Sequence, residues 1–213
     1  LGQANDQPIA AHDTNVRGTA NVMAAVPGLA TAVYASTCHV YGPPEHLPIG
    51  EAHPCAPQGV YARTKLEAEI VARACCEQVV IARAFHHTGA GQSSRFALAD
   101  WAEKVSRGQE VLTGDLSLRR DYTDVRDICG GYRLLAQHGL AHEVYNLCSG
   151  EAVPLQELLE GMAPPGAVAY RQDPERIRRG DVRETRGDPS KAEALGWRRH
   201  ISRAQMVQDL VAG

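Results

Sequence analysis

Within Ala35-Ser36-Thr37-Cys38-His39-Val40-Tyr41-Gly42, two hydroxyls, a thiol, an imidazole and a phenol fall inside eight positions. Three chemistries are compatible with those types: a Cys-His nucleophile, a metal site, or the hydroxyl member of a proton-transfer set. The first fails on geometry, because Cys38 and His39 are neighbours on a strand end and point to opposite faces. A metal site is not expected either. No C-x-x-C or H-E-x-x-H spacing occurs among the cysteines and histidines, and the adjacent His86-His87 would diverge. The hydroxyl reading draws support from farther along the chain. Tyr61 and Lys65 are four residues apart at the start of a helical pattern, so both project from one face. An ammonium beside a phenol favours the phenolate and makes Tyr61 a general acid/base, while the same ammonium can bond a ribose. Alone, Y-x-x-x-K is a weak signal that many solvated helices carry.

The elements that must position these groups follow from periodicity. Val16, Ala20, Met23 and Ala24 predict a helix over 15–26, stopped by Pro27-Gly28. A short strand at Ala32-Val33-Tyr34-Ala35 leads into a Pro/Gly-rich loop. The second helix runs from Tyr61 to about Glu77, with Leu66, Ile70, Val71 and Ala74 as its apolar face. Val79-Val80-Ile81-Ala82 reads as a strand buried on both sides, as in parallel sheets. Farther on come a helix over 93–107, a strand over 110–112, a helix from Asp124 through Leu135 and a strand over 143–147. Shorter elements close the chain: a helix near 154–162, a strand near 168–170, a helix over 188–195 and a last helix after Ser202. Alternation of this kind predicts an open α/β sheet.

At 213 residues the chain is long enough for a substantial core, and 44% hydrophobic with 22% charged residues argues against disorder. A net charge of −3 suggests neither a nucleic-acid partner nor an anionic membrane surface. No apolar run approaches the roughly 18 residues a spanning helix requires. Six scattered cysteines and no secretory leader fit a reducing cytoplasm.

Set in this frame, several runs together carry a specific resemblance. They are Asn15-Val16-Arg17-Gly18-Thr19-Ala20-Asn21, Thr37-Cys38-His39-Val40-Tyr41-Gly42 and Tyr61-Ala62-Arg63-Thr64-Lys65. Arg83 through Gln92, Arg119 through Asp127 and Tyr145 through Gly150 extend it along almost the whole chain. The sequence resembles the extended short-chain dehydrogenase/reductase family of nucleotide-sugar epimerases, dehydratases and reductases. His87-Thr88-Gly89-Ala90-Gly91-Gln92, the Arg119-Arg120-Asp121-Tyr122-Thr123-Asp124 run and Gly187-Asp188-Pro189-Ser190-Lys191 resemble its GDP-mannose branch, nearest the GDP-4-keto-6-deoxy-mannose reductases and the GDP-mannose 4,6-dehydratases.

The resemblance implies a Rossmann-like, doubly wound parallel sheet with a small C-terminal α/β substrate lobe. Residues 1–88 and 119–140 would form a partial dinucleotide-binding domain, and 89–118 with 141–213 the substrate lobe. It implies an NAD or NADP cofactor, a nucleotide-diphosphate sugar substrate, hydride transfer at sugar C4 and a homodimer built on the helices at Asn15 and Tyr61. Thr37 would bond the C4 oxygen, Tyr61 give or take its proton, and Lys65 lower the Tyr61 pKa. Ser36, Tyr61 and Lys65 would contact the cofactor; His86, Arg120 and Arg178 would contact substrate, the two arginines through its diphosphate. His39 stands where dehydratases of the family carry a glutamate, which favours reduction or epimerisation over water loss. His39 itself either lines the cleft or moves a proton.

No G-x-x-G-x-x-G or G-x-G-x-x-G occurs in the 213 residues. The resemblance begins after the family's third strand, so the expected molecule is N-terminally truncated by about two βαβ units of roughly 30 residues each. Two expectations follow: the larger part of a working reductase, or a short remnant or partner subunit unable to hold the dinucleotide. Either way, little turnover is expected of these residues alone.

Overall fold

The computed structural model describes residues 2–25, 30–177 and 180–213. Helices α1 (Gly2–Asp6), α2 (Pro8–His12) and α3 (Gly18–Ala24) precede strand β1 (Ala32–Thr37), helix α4 (Gly59–Cys75) and strands β2 (Val79–Ala84) and β3 (His86–Thr88). Then come α5 (Ala97–Ser106), β4 (Val111–Thr113), β5 (Arg119–Asp124), α6 (Val125–His138) and β6 (Val144–Leu147). Strand β7 (Ala152–Pro154), helix α7 (Leu155–Glu160), strands β8 (Tyr170–Gln172) and β9 (Glu184–Thr185) and helices α8 (Ser190–Ala194) and α9 (Arg203–Ala212) complete the chain.

Two compact units result. One comprises Leu1–Phe85, Cys129–Leu147 and Gly187–Arg198, the other His86–Ile128, Cys148–Arg186 and Arg199–Gly213. The contacts thus group 86–88 and 119–128 with the second unit and 141–147 and 187–198 with the first, where the sequence reading grouped them the other way.

In the first unit β1, β2 and β6 form a parallel sheet with β2 central. Its residues Val79, Val80, Ile81 and Ala82 are wholly buried, as a strand covered on both faces must be. Alternation sorts the two faces. Tyr34, Val79 and Ile81 pack with Met23 of α3 and Ala68 and Ala72 of α4. On the other face α6 comes so close that a Cβ on Gly131 would sit 2.8 Å from a Leu147 methyl carbon, so only glycine fits there.

Two expectations need correction. The helical segment begins well before Asn15, and a π-helical turn over Asp13–Arg17 leads into α3. The end predicted at Val26 lies outside the described residues. On α4 the buried face is Ala62, Thr64, Ala68, Glu69 and Ala72, not Leu66, Ile70, Val71 and Ala74. Small side chains let the helix lie close on the sheet, which leaves Ile70 63% exposed. Hydrophobicity alone misplaced that face because its centre is a carboxylate.

The second unit holds a mixed sheet in which β5 pairs in parallel with β3 and β9 and antiparallel with β7. Strands β4 and β8 pair separately, in parallel. Its core gathers Leu98 and Trp101 from α5, Leu158 and Leu159 from α7, and Met206, Val207 and Leu210 from α9. Strands β3, β5, β7 and β9 were not expected, being very short or, for β5, polar throughout.

Candidate active site

Thr37 ends β1 in an extended conformation (φ −149°, ψ 151°), and the chain then turns through a 3-10 helix over Cys38–Tyr41. The Thr37 hydroxyl oxygen accepts from the His39 amide at 3.3 Å, capping that turn. Inside the turn Cys38, Val40 and Tyr41 are buried, while His39 stays half-buried. Tyr41 anchors it by donating its phenol hydrogen to Asn146 Oδ1 at 2.7 Å. Gly42 follows at φ +69°, with the Ala56 carbonyl oxygen 2.0 Å from where a Cβ would be. A side chain is thus excluded on two counts, and the glycine that ends this turn is a steric requirement.

Helix α4 brings the second pair of groups. The Asn5 side-chain oxygen accepts from the Val60 amide at 3.1 Å and so caps a helix 55 residues away. Asn15 donates to Thr64 Oγ1 at 2.9 Å and ties the π-helical turn to the same helix. Tyr61 has the Thr37 side chain as a neighbour that acts on its titration, and His39 meets its ring edge-on at a centroid distance of 6.2 Å. Since Thr37 Oγ1 accepts from the His39 amide, its own hydrogen is available to the phenol oxygen. Burial raises the Tyr61 pKa above the ordinary phenol value, opposed by the neighbouring Thr37 hydroxyl. This departs from the expectation of a phenol lowered by Lys65.

The Lys65 ammonium is turned towards β1. It donates to the Ala35 carbonyl at 2.6 Å and lies 4.3 Å from the centroid of the Tyr34 ring. Burial brings its pKa down to about 8, against the opposing pull of the Glu69 carboxylate. An ammonium has three donors, of which Ala35 takes one. With the Tyr61 phenol on the same helix face, this donor set fits a ribose diol.

Ser36 does not share that face. Its hydroxyl is buried and donates to Glu69 Oε1 at 2.5 Å, so the side chain points under α4 where a cofactor contact had been expected. Sequence reasoning also passed over Asn15, Glu69 and Tyr132. The last is a half-buried phenol raised to about 12, chiefly by desolvation, whose titration also feels Tyr61. Only the position of Glu69, four residues past Lys65, was a signal available beforehand.

His86 and Arg120 belong to the second unit. His86 pairs with Tyr122 in the β3–β5 register, with the rings 5.3 Å apart. Arg120 lies mid-strand in β5 and donates to the Arg119 carbonyl at 2.8 Å. Arg178 lies outside the described residues. Among the described residues no group of three or more His, Cys, Asp or Glu could hold a metal ion, and no helix is long and apolar enough to cross a membrane.

A model of the family described as GDP-mannose 4,6 dehydratase matches residues 1–210. GDP-6-deoxy-D-mannose reductase of Pseudomonas aeruginosa is 33% identical over 219 residues, covering 93% of this chain and 71% of the relative. UDP-glucose 4-epimerase of Homo sapiens is 27% identical over 242 residues, covering 99% of this chain and 69% of the epimerase. The solved structure of RMD from Pseudomonas aeruginosa complexed with NADPH matches with a TM-score of 0.90 at 31% identity, over 100% of this chain and 76% of that one. DesIV, a dTDP-glucose 4,6-dehydratase from Streptomyces venezuelae with NAD and TYD bound, gives 0.87 at 25% identity, over 100% and 69%.

Proposed function

Because the chain belongs to the GDP-mannose 4,6 dehydratase family, we propose that it carries the proton-transfer site of an NAD(P)-dependent nucleotide-sugar oxidoreductase that reduces a GDP-4-keto-6-deoxy sugar at C4. The observation that carries this reading is Thr37 at the end of β1 beside α4, the helix that presents Tyr61 and turns Lys65 onto the Ala35 carbonyl of that same strand. Likeness to a GDP-6-deoxy-D-mannose reductase supports the choice of sugar.

A nicotinamide dinucleotide, NAD or NADP, supplies the hydride when bound, and Lys65 with Tyr61 would hold its ribose. Thr37 orients the C4 oxygen and Tyr61 hands it a proton. A half-buried phenol with a raised pKa is neutral at working pH, the form that can give a proton to a developing alkoxide. Epimerisation begins by removing that proton and would need the phenolate. It remains the second reading, favoured by the likeness to UDP-glucose 4-epimerase. His39 in place of the dehydratase glutamate argues against water loss. His39 would assist at Tyr61, while His86, Arg120 and Arg178 would meet the nucleotide sugar.

The protein is further read as a cytoplasmic homodimer joined through α3 and α4. Support comes from Val22 and Ile70 on those helices, each 63% exposed, an unusual display of large apolar side chains.

Two measurements test the reading. Incubated with NADPH and a panel of GDP-, dTDP- and UDP-4-keto-6-deoxy sugars, these residues joined to a glycine-rich dinucleotide-binding segment of the family should consume nicotinamide fastest with the GDP compound. Equal rates across the panel, or no consumption with any, would overturn the assignment. The pH profile is the second. Lys65 is an ammonium below about 8 and a neutral amine above it, while Tyr61 keeps its proton through that range. Activity should therefore fall as pH rises through about 8, and a profile flat to pH 10 would remove Lys65 from the reaction.

A further inference from the structure

We propose that Glu69 is a positioning residue of this site. Clamped by Ser36 and Arg83, its carboxylate fixes the strand end bearing Thr37 to the helix bearing Tyr61 and Lys65, and sets a negative charge one helical turn from Lys65. This rests on Tyr61 and Lys65 being the proton-transfer pair proposed above.

Glu69 is 0% exposed at the centre of the α4 face that lies on the sheet. A lone carboxylate there would be strongly unfavourable, and three groups offset the cost. Arg83 approaches as a fork, Nε to Oε1 at 3.0 Å and Nη2 to Oε2 at 2.7 Å. Ser36 donates to Oε1 at 2.5 Å, and Arg73 Nη1 lies 3.9 Å from Oε2. Ser36 and Arg83 are register partners on β1 and β2, one residue before Thr37 and its partner Ala84. The Arg83 guanidinium also lies 4.7 Å from the centroid of the Tyr41 ring, in the turn that follows Thr37. One carboxylate therefore holds both strand ends, the turn after Thr37 and the helix in a single bonded set.

Packing alone does not call for this arrangement, because apolar residues of similar volume often stabilise such a position as well as a buried ion pair does. What apolar residues could not supply is a negative charge one helical turn from Lys65. Around Lys65, β1 contributes the neutral Ala35 carbonyl and the Tyr34 ring, and α4 contributes Glu69 as the charge that acts on it.

Lys65, Lys104 and Lys191 are the only lysines in the sequence. Protein labelled with 13C and 15N at lysine therefore gives three side-chain signals, and Lys65→Arg assigns the relevant one. In Glu69→Gln, a near-isosteric change, the Lys65 titration midpoint should fall by about one pH unit, and Glu69→Asp should restore it. The alkaline limb of kcat/KM should move with it. A purely structural role would leave the midpoint in place, and an unmoved midpoint in folded Glu69→Gln overturns the proposal. Should that variant not fold, Glu69→Gln/Arg83→Gln removes the clamp without a net change of charge, and it is judged by kcat measured below the Lys65 midpoint: a clear fall supports the positioning role, and an unchanged kcat overturns it. A midpoint that moves while the limb stays still supports the role of Glu69 and instead counts against Lys65 in the reaction.

Discussion

Tyr61→Phe is expected to lower kcat by about 10²–10⁴-fold while leaving the fold nearly unchanged and raising the KM for NADPH only modestly, since Lys65 still holds the ribose. The substitution removes one oxygen. The ring keeps its edge-on packing against His39, the helix keeps its Asn5 cap and its Asn15 tether, and Lys65 keeps its bond to Ala35. What is lost is the hydroxyl that hands a proton to the C4 oxygen and shares the ribose with Lys65, and Thr37, already bonded by the His39 amide, has too high an intrinsic pKa to replace it as the acid. Steady-state rates with NADPH and a GDP-4-keto sugar, beside thermal melting, check this. A variant retaining more than a tenth of the rate would show that another group delivers the proton. Loss of that residual rate in Tyr61→Phe/His39→Ala, restored by added imidazole, would identify that group as His39.

Sequence made Tyr61 and Lys65 legible because a spacing of four on a helix is a rigid geometric statement. It did not reveal what surrounds them. Whether Lys65 acts on the phenol or on the sheet depends on a carbonyl 30 residues earlier, at Ala35. The buried face of α4 was misread for a related reason. Periodicity weighs a glutamate as polar and turns it outward, whereas Arg83, on a strand 14 residues later, makes it the centre of the interior. Strand β5 posed the same difficulty, since Arg119-Arg120-Asp121-Tyr122-Thr123-Asp124 has no apolar alternation to mark it. What the sequence carried well was order and identity: helix, strand, loop, helix, strand, and the runs that resemble one family. What it could not carry was partnership between residues far apart, which is where the charges in this fold are neutralised.

Asp121 is the sharpest case, and Asp121→Ala should be among the most destabilising substitutions in the second unit. Its side chain is 0% exposed and accepts from the Ser149 amide at 2.7 Å and the Gly150 amide at 3.0 Å, one through each oxygen. Two runs that first stood out only by resemblance, Arg119 through Asp127 and Tyr145 through Gly150, thus meet through one carboxylate. The bonds hold the bend that lets the chain return as β7, where Asp121 is the register partner of Ala152. Alanine would strand both amides, and each buried donor left without an acceptor costs about 1–3 kcal/mol. A total near 3 kcal/mol corresponds to a fall in Tm of roughly 6–12 °C for a chain of this size. Asparagine offers a single acceptor and sets an N–H against the second amide, so Asp121→Asn should recover less than half of the loss. Because the carboxylate bonds backbone and not substrate, the prediction separates stability from chemistry. Denaturant melts should shift for both variants, while kcat measured well below the melting point should change far less than in Tyr61→Phe. Equal stability of Asp121→Ala and the unaltered chain would mean that water or a shifted backbone can serve the two amides, and that the aspartate has another task.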